Sequence, residues 1–197
     1  MLNHPSDLID ELVKLHLKPA LKELGFKSKS STFFRQNSEL VEVASPQKSQ
    51  WNSAEEAKFT INLGVYWPKV HEMLRRVPAS VPPKEYDCTL RQRLGPLFDQ
   101  HRDYWWTVTP NSDVRAIGED VVEKVRRYAL PWFVKATSLN EAPQMAPTPT
   151  AVVMLMMKDE QAKATALLIE AIAESKHAKA FLRSLGERLK LEIPAGI

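Results

Sequence analysis
The sequence predicts an α+β fold: a largely antiparallel sheet of about five strands, with helices packed on at least one face and a C-terminal helical hairpin. Three observations carry this. Phe59, Ile61, Leu63 and Val65 alternate with Thr60, Asn62, Gly64 and Tyr66, a period of two that marks a half-buried strand. Apolar residues recur at three- and four-residue steps near the N-terminus and again over residues 114–128, as amphipathic helices require. Beyond residue 150 every periodic segment reads helical, which supplies the C-terminal hairpin.

The elements follow in order. Pro5, Ser6 and Asp7 open a helix, since proline and an acid both suit a first turn. Leu8, Ile9, Leu12, Val13 and Leu15 make its apolar stripe. Pro19 removes a backbone bond to Leu15 and predicts a kink or break, after which the helix resumes through Leu21 and Leu24. Gly25 suits a left-handed cap. Residues 26–35 read as one strand, Asn37 and Ser38 as a turn, and residues 40–44 as a second strand, which together make a hairpin. Residues 45–57 are a polar loop in which Trp51 is expected to be partly buried, given its large apolar area.

Residues 59–66 form the central strand, and Pro68 ends it and opens a short helix over 68–76. Residues 77–86, with Pro78, Pro82 and Pro83, are a constrained loop. In 87–94 Cys88, Leu90, Gln92 and Leu94 alternate with Thr89, Arg91 and Arg93, and Gly95-Pro96 stops the strand. Residues 97–102 are a short helix or a loop. Residues 104–109 are a strand with Tyr104, Trp106 and Val108 on one face and Trp105, Thr107 and Thr109 on the other. Asn111 or Ser112 caps a helix whose inner face is Val114, Ile117, Val121, Val125 and Tyr128, and Pro131 interrupts it.

The expected organisation is an α+β core over residues 1–138, a proline-rich linker over 139–150 (Pro143, Pro147, Pro149) and a helical hairpin over 151–197 packed on the core. Ala164, Leu168 and Ile172 line one arm of the hairpin; Ala178, Phe181, Leu182, Leu185 and Leu189 line the other. No segment repeats at a fixed period.

At 197 residues and a net charge of +3 the chain has ordinary globular composition, without the concentrated positive charge of a typical nucleic-acid binder. Cys88 is the one cysteine, so no internal disulfide forms, which suits a reducing compartment. Residues 1–5 lack a basic region followed by an apolar run, so no signal peptide is expected. The longest apolar run, residues 151–157, is far short of the ~20 residues of a membrane helix. A cytoplasmic protein is the expectation.

An ordered set of motifs resembles a known family. Lys18-Pro19-x-Leu21-x-x-Leu24-Gly25-Phe26 and Thr32-Phe33-x-Arg35 come first. The central strand, Cys88-x-Leu90-x-x-Arg93-Leu94-Gly95 and Trp105-Trp106 follow, and then a helix ending Ala129-Leu130-Pro131-Trp132. Over most of the first 135 residues this is similar to the bacterial family known only as domain of unknown function 4304. The resemblance implies a bacterial α+β protein and supplies no catalytic residues.

The chain shows no catalytic constellation and leans away from an enzyme. Asp99, His101 and Asp103 alternate as metal ligands can, but Arg102 adds repulsion and metals draw ligands from several segments; a solvated loop is the expectation. His71-Glu72 lacks the second histidine of a zinc-protease helix and reads as surface. Cys88, on an apolar strand face away from Arg91 and Arg93, reads as a small hydrophobe. The isolated glycines make no phosphate-binding loop. No metal and no cofactor are expected.

The suggestive feature is the polar face of the sheet, where Tyr66, Arg91, Arg93 and Trp105 would come together. These residue types concentrate binding energy at protein interfaces, and they also stack on and neutralise single-stranded nucleic acid. The expected function is therefore a non-catalytic, immunity- or adaptor-like module whose partner is another protein, with no role at a membrane. Nucleic-acid binding through the same face is the alternative, and an enzyme of unrecognised type the third.

Overall fold
The protein is described here by a computed structural model over residues 4–195. The leader reading falls partly on residues 1–3, outside the described residues, as does Gly196. The fold is α+β and the sheet is antiparallel throughout. Two compact units divide the chain: Met1–Tyr66 with Ala79–Val134, and Trp67–Pro78 with Lys135–Ile197.

The first unit holds the sheet. Strands β1 (Lys27–Lys29), β2 (Thr32–Asn37), β3 (Leu40–Lys48), β4 (Ala57–Tyr66) and β5 (Leu90–Arg93) pair in chain order. A further strand, β6 (Trp106–Val108), pairs with β4 beside its first residues, end to end with β5. The single strand expected over 26–35 is two, because Ser30 takes a left-handed φ of 53° and folds the chain back. Strand β3 runs on to Lys48 through part of the expected loop. The turn after it is closed by the Asn52 amide, which accepts from the Lys58 N–H at 2.8 Å and donates to the Lys58 carbonyl. This polar turn leaves Trp51 84% exposed, so the expected partial burial does not occur. On β4, Phe59, Ile61, Leu63 and Val65 are fully buried.

Helix α1 (Pro5–Leu12) packs on β4 and β6 and against α4 (Val114–Lys124). The cap of α4 is Asp113, whose carboxylate accepts the Ala116 N–H at 3.0 Å; Ser112, expected in that role, accepts the Thr109 N–H instead. Neither Pro19 nor Pro131 breaks its helix. Each follows a one-turn π-helix, Val13–Leu17 or Val125–Ala129, and the chain continues as α2 (Lys18–Glu23) or α5 (Leu130–Thr137). In both, the residue before the proline (Lys18, Leu130) donates its N–H to the carbonyl of the valine five residues back (Val13, Val125). The wider turn places the missing proline donor where the α-ladder is already interrupted, and moves the carbonyl four residues back out of the path of the ring. The extra residue shifts the inner face of the first helix. Leu12 is followed inward by Leu17 and Leu21, while Leu15, expected in the stripe, is exposed.

Gly25 closes α2 with a φ of 85°, the Phe26 N–H reaching the Leu21 carbonyl at 2.9 Å. Arg35 is drawn into this corner. Its guanidinium lies 4.8 Å from the Phe26 ring centroid and donates to the Leu24 carbonyl at 2.7 Å. Two further N–H groups grip both carboxylate oxygens of Glu42, its cross-strand neighbour, which is 3% exposed. The quoted motifs Leu24-Gly25-Phe26 and Thr32-Phe33-x-Arg35 thus meet in one knot.

In the second unit, α3 (Pro68–Met73) starts at Pro68 as expected, and the Trp67 indole donates to the Ala136 carbonyl at 3.1 Å. His71, expected at the surface, is buried. Residues 139–150 carry α6 (Ala142–Met145) and the start of α7 (Thr148–Met157), with their prolines at helix starts. Helix α8 (Gln161–Glu174) buries Ala164, Leu168 and Ile172, and α9 (Lys179–Leu189) buries Leu182 and Leu185. Successive members of α7, α8 and α9 pack together. Among the described residues no helix is long and apolar enough to cross a membrane.

Candidate functional site
Cross-strand neighbours in an antiparallel pair share a face, so register locates the site. Ser45, Asn62 and Arg93 form one row across β3, β4 and β5. Phe34, Val43, Gly64 and Arg91 form the next, and Val41 and Tyr66 the one beyond. This face is apolar at one end, where Val43, Tyr66 and Cys88 are buried together. It is polar at the other. The polar half opens into a trough of about 540 Å³ floored by Ser45, Gln47 and Asn62 and walled by Lys84, Glu85, Tyr86, Arg91 and Arg93.

The trough arginines are held from within. Arg91 donates through Nε to Glu85 at 2.6 Å, a bond that pushes its pKa further up. Arg93 donates to Asp103 at 2.7 Å and lies 5.2 Å from the Trp105 ring centroid, and the Trp105 indole donates to the same Asp103 oxygen at 3.0 Å. Asn62 donates to Gln47 at 2.7 Å. The structure therefore sets Arg91 and Arg93 along one trough and Trp105 against Arg93, outside the trough lining. Tyr66 shares their face but is buried at its apolar end, its hydroxyl accepting the Ala79 N–H at 3.2 Å. The sequence singles out neither Lys84, Glu85 nor Tyr86, whose loop is aperiodic; Asp103 stands out only beside Asp99 and His101, and Asn62 only as a polar member of the β4 alternation.

Cys88 departs from its expected face. The 3-10 turn Glu85–Asp87 ends beside it and breaks the alternation. Its sulfur sits directly over Gly64, at 2.6 Å from where a Cβ would be, on the Arg91 side of the sheet. Burial, with the carboxylates of Glu85 and Asp87, pushes the thiol far above its ordinary range, and Arg91 opposes this only in part. At neutral pH the thiol is protonated and a poor nucleophile. We expect an aromatic disulfide reagent to leave Cys88 unmodified in native protein and to label it stoichiometrically in urea; labelling of native protein at the rate of a free thiol would contradict this.

The alternative centres are accounted for. Asp99 accepts from the Tyr128 hydroxyl at 3.1 Å, Asp103 is held by Arg93, and the His101 ring faces the Pro96 carbonyl. Among the described residues no three of His, Cys, Asp or Glu gather as metal ligands would. A larger open groove, about 710 Å³, lies between α2 and α4. Its charges are paired: Arg126 bonds Glu23 at 2.9 Å, Arg127 lies 3.8 Å from Glu123, and Glu119 bonds Arg115 at 2.8 Å. Lys124, one residue beyond Glu123 on α4, bonds Asp120.

A family model described as a domain of unknown function (DUF4304) matches residues 17–135. No curated protein and no solved structure matches the chain.

Proposed function
For a chain that belongs to the family described as domain of unknown function (DUF4304), we propose a non-catalytic module that binds another protein through the polar face of its sheet. An immunity- or adaptor-like role in the bacterial cytoplasm extends this reading by analogy with other small bacterial proteins that lack a catalytic constellation. The observation that supports it is the pairing of the trough arginines. Arg91 and Arg93 are each neutralised by a carboxylate of the chain itself; Arg91 shares the trough wall with the exposed Tyr86, and Arg93 lies against the half-buried Trp105 ring. Such groups form oriented, hydrogen-bonding anchors of the kind that dominate protein interfaces. A nucleic-acid groove needs surplus cations for phosphates instead. The nucleic-acid alternative keeps one favourable feature, the Trp105 ring beside Arg93.

The test is capture from lysate of the native host at low and high salt. Wild type is run beside a triple variant, Arg91→Ala, Arg93→Ala and Trp105→Ala, whose folding is confirmed by circular dichroism. A protein retained by wild type at both salt concentrations and lost by the variant is the expected result. Recovery of nucleic acid that vanishes at high salt and in the variant selects the alternative. Identical captures remove the sheet face as the binding surface.

A further inference from the structure
Resting on the protein-binding reading, we infer that the trough takes an acidic, extended polypeptide segment laid across the strands, its carboxylates read by Lys84, Arg91 and Arg93. Charge is the first argument. Lys84, Arg91 and Arg93 line the trough against one lining carboxylate, Glu85. Asp103 lies outside the lining and holds Arg93. Counting both acids leaves one positive charge in excess, and among the described residues Lys84 is the trough cation without an ion pair. An anion completes this set; a cation does not.

Pre-organisation is the second argument. A guanidinium carries five N–H groups in a rigid fork, so one used internally leaves others in a fixed direction. Arg91 commits Nε to Glu85, and its side chain remains 52% exposed. Arg93 commits one terminal nitrogen to Asp103 and its Nε to the Asn62 amide oxygen at 3.5 Å, which leaves its other terminal nitrogen, and its side chain remains 35% exposed. Carboxylates are bound bidentately by such forks, at little entropic cost when the fork is already oriented.

The floor and rim decide between kinds of anion. Ser45, Gln47 and Asn62 present hydroxyl and amide groups that donate and accept, which suits the alternating N–H and C=O of an extended backbone. At the rim Tyr86 is 68% exposed and offers a ring to an apolar neighbour of the acidic residue. A polyphosphate chain has no backbone donors for this floor, and one surplus charge gives it little counterion release.

The direct test is fluorescence anisotropy on the full chain with labelled peptides of equal length. One alternates glutamate with serine and tyrosine, one has glutamine for each glutamate, and one has lysine; an oligothymidylate is the fourth probe. The acidic peptide is expected to bind about tenfold more tightly than the glutamine peptide. Lys84→Glu and Arg91→Glu are each expected to abolish that preference. Arg93→Lys, which keeps the charge and loses the fork, is expected to weaken it by less than Arg93→Ala does. Arg115→Glu, on the exposed side of α4 and outside the trough lining, serves as the charge control and leaves the preference intact. Unfolding curves check that each variant is folded. Equal binding of acidic and glutamine peptides, or a preference untouched by the trough variants, overturns the inference. Tighter binding of the oligothymidylate overturns it in favour of nucleic acid. The two readings fail separately: partner capture lost in the triple alanine variant, with no acidic preference, leaves the binding module standing and removes its acidic ligand.

Discussion
Replacing Glu42 with alanine destabilises the protein by about 3 kcal/mol, read as a lower urea midpoint with an unchanged slope. Glu42 is 3% exposed and pairs across the strands with Val65, so its carboxylate lies on the core side of the sheet. Its charge is tolerated there because two N–H groups of Arg35 grip it. Removal of the carboxylate strands a guanidinium that is only 32% exposed and already packed on Phe26. Breaking a buried pair from one side costs more than deleting both members, because the remaining charge loses its partner but not its desolvation. The double variant Arg35→Met with Glu42→Leu therefore recovers most of the loss. A single-variant loss below about 1 kcal/mol would place the pair with ordinary surface bridges.

Gly95→Ala costs about 3 kcal/mol, at the upper end for overpacking. The reason is space and not backbone angle. A Cβ at Gly95 would meet the Tyr104 backbone nitrogen, with the Tyr104 Cα at 3.0 Å and its Cβ at 2.8 Å. Backbone cannot swing aside as a side chain can. The Tyr104 carbonyl also accepts from the buried Thr60 hydroxyl at 3.0 Å, so displacing this segment breaks a bond to the central strand. Chemical or thermal unfolding measures the loss. Stability within about 1 kcal/mol of wild type would show that 103–105 yields freely. The same segment carries Asp103 and Trp105, which orient Arg93. The glycine of the Arg93-Leu94-Gly95 motif thus serves the site by permitting a close approach.

The fold was legible wherever one periodicity ran unbroken. The β4 alternation placed Phe59, Ile61, Leu63 and Val65 on the buried face, and register sets Arg91 and Arg93 beside Gly64 and Asn62 on the opposite one. It failed where a local insertion changed the phase. The 3-10 turn before Cys88 moved that residue across the sheet, and the π-turn at Val13–Leu17 turned Leu15 outward. It failed again where a partner came from an aperiodic loop. Neither Glu85 nor Asp103 announces its arginine, because each lies in a loop flanking β5, where no period sets which way a side chain points. Glu42 reads as the polar member of a strand, and only its register with Arg35 reveals a buried ion pair.

The paired π-turns bear on how the chain tolerates changes in length. A π-turn contains one residue more than the α-turn it replaces. At Val13–Leu17 and Val125–Ala129 that surplus residue precedes Pro19 or Pro131 at the same spacing. Deleting it would restore regular α-geometry and bring the proline ring against the carbonyl four residues back. Replacing the proline alone would leave a bulge with nothing to accommodate. Insertion and proline are therefore a linked pair of characters, each neutral only beside the other. Relatives of this chain should gain or lose them together, twice over, in two helices that pack side by side.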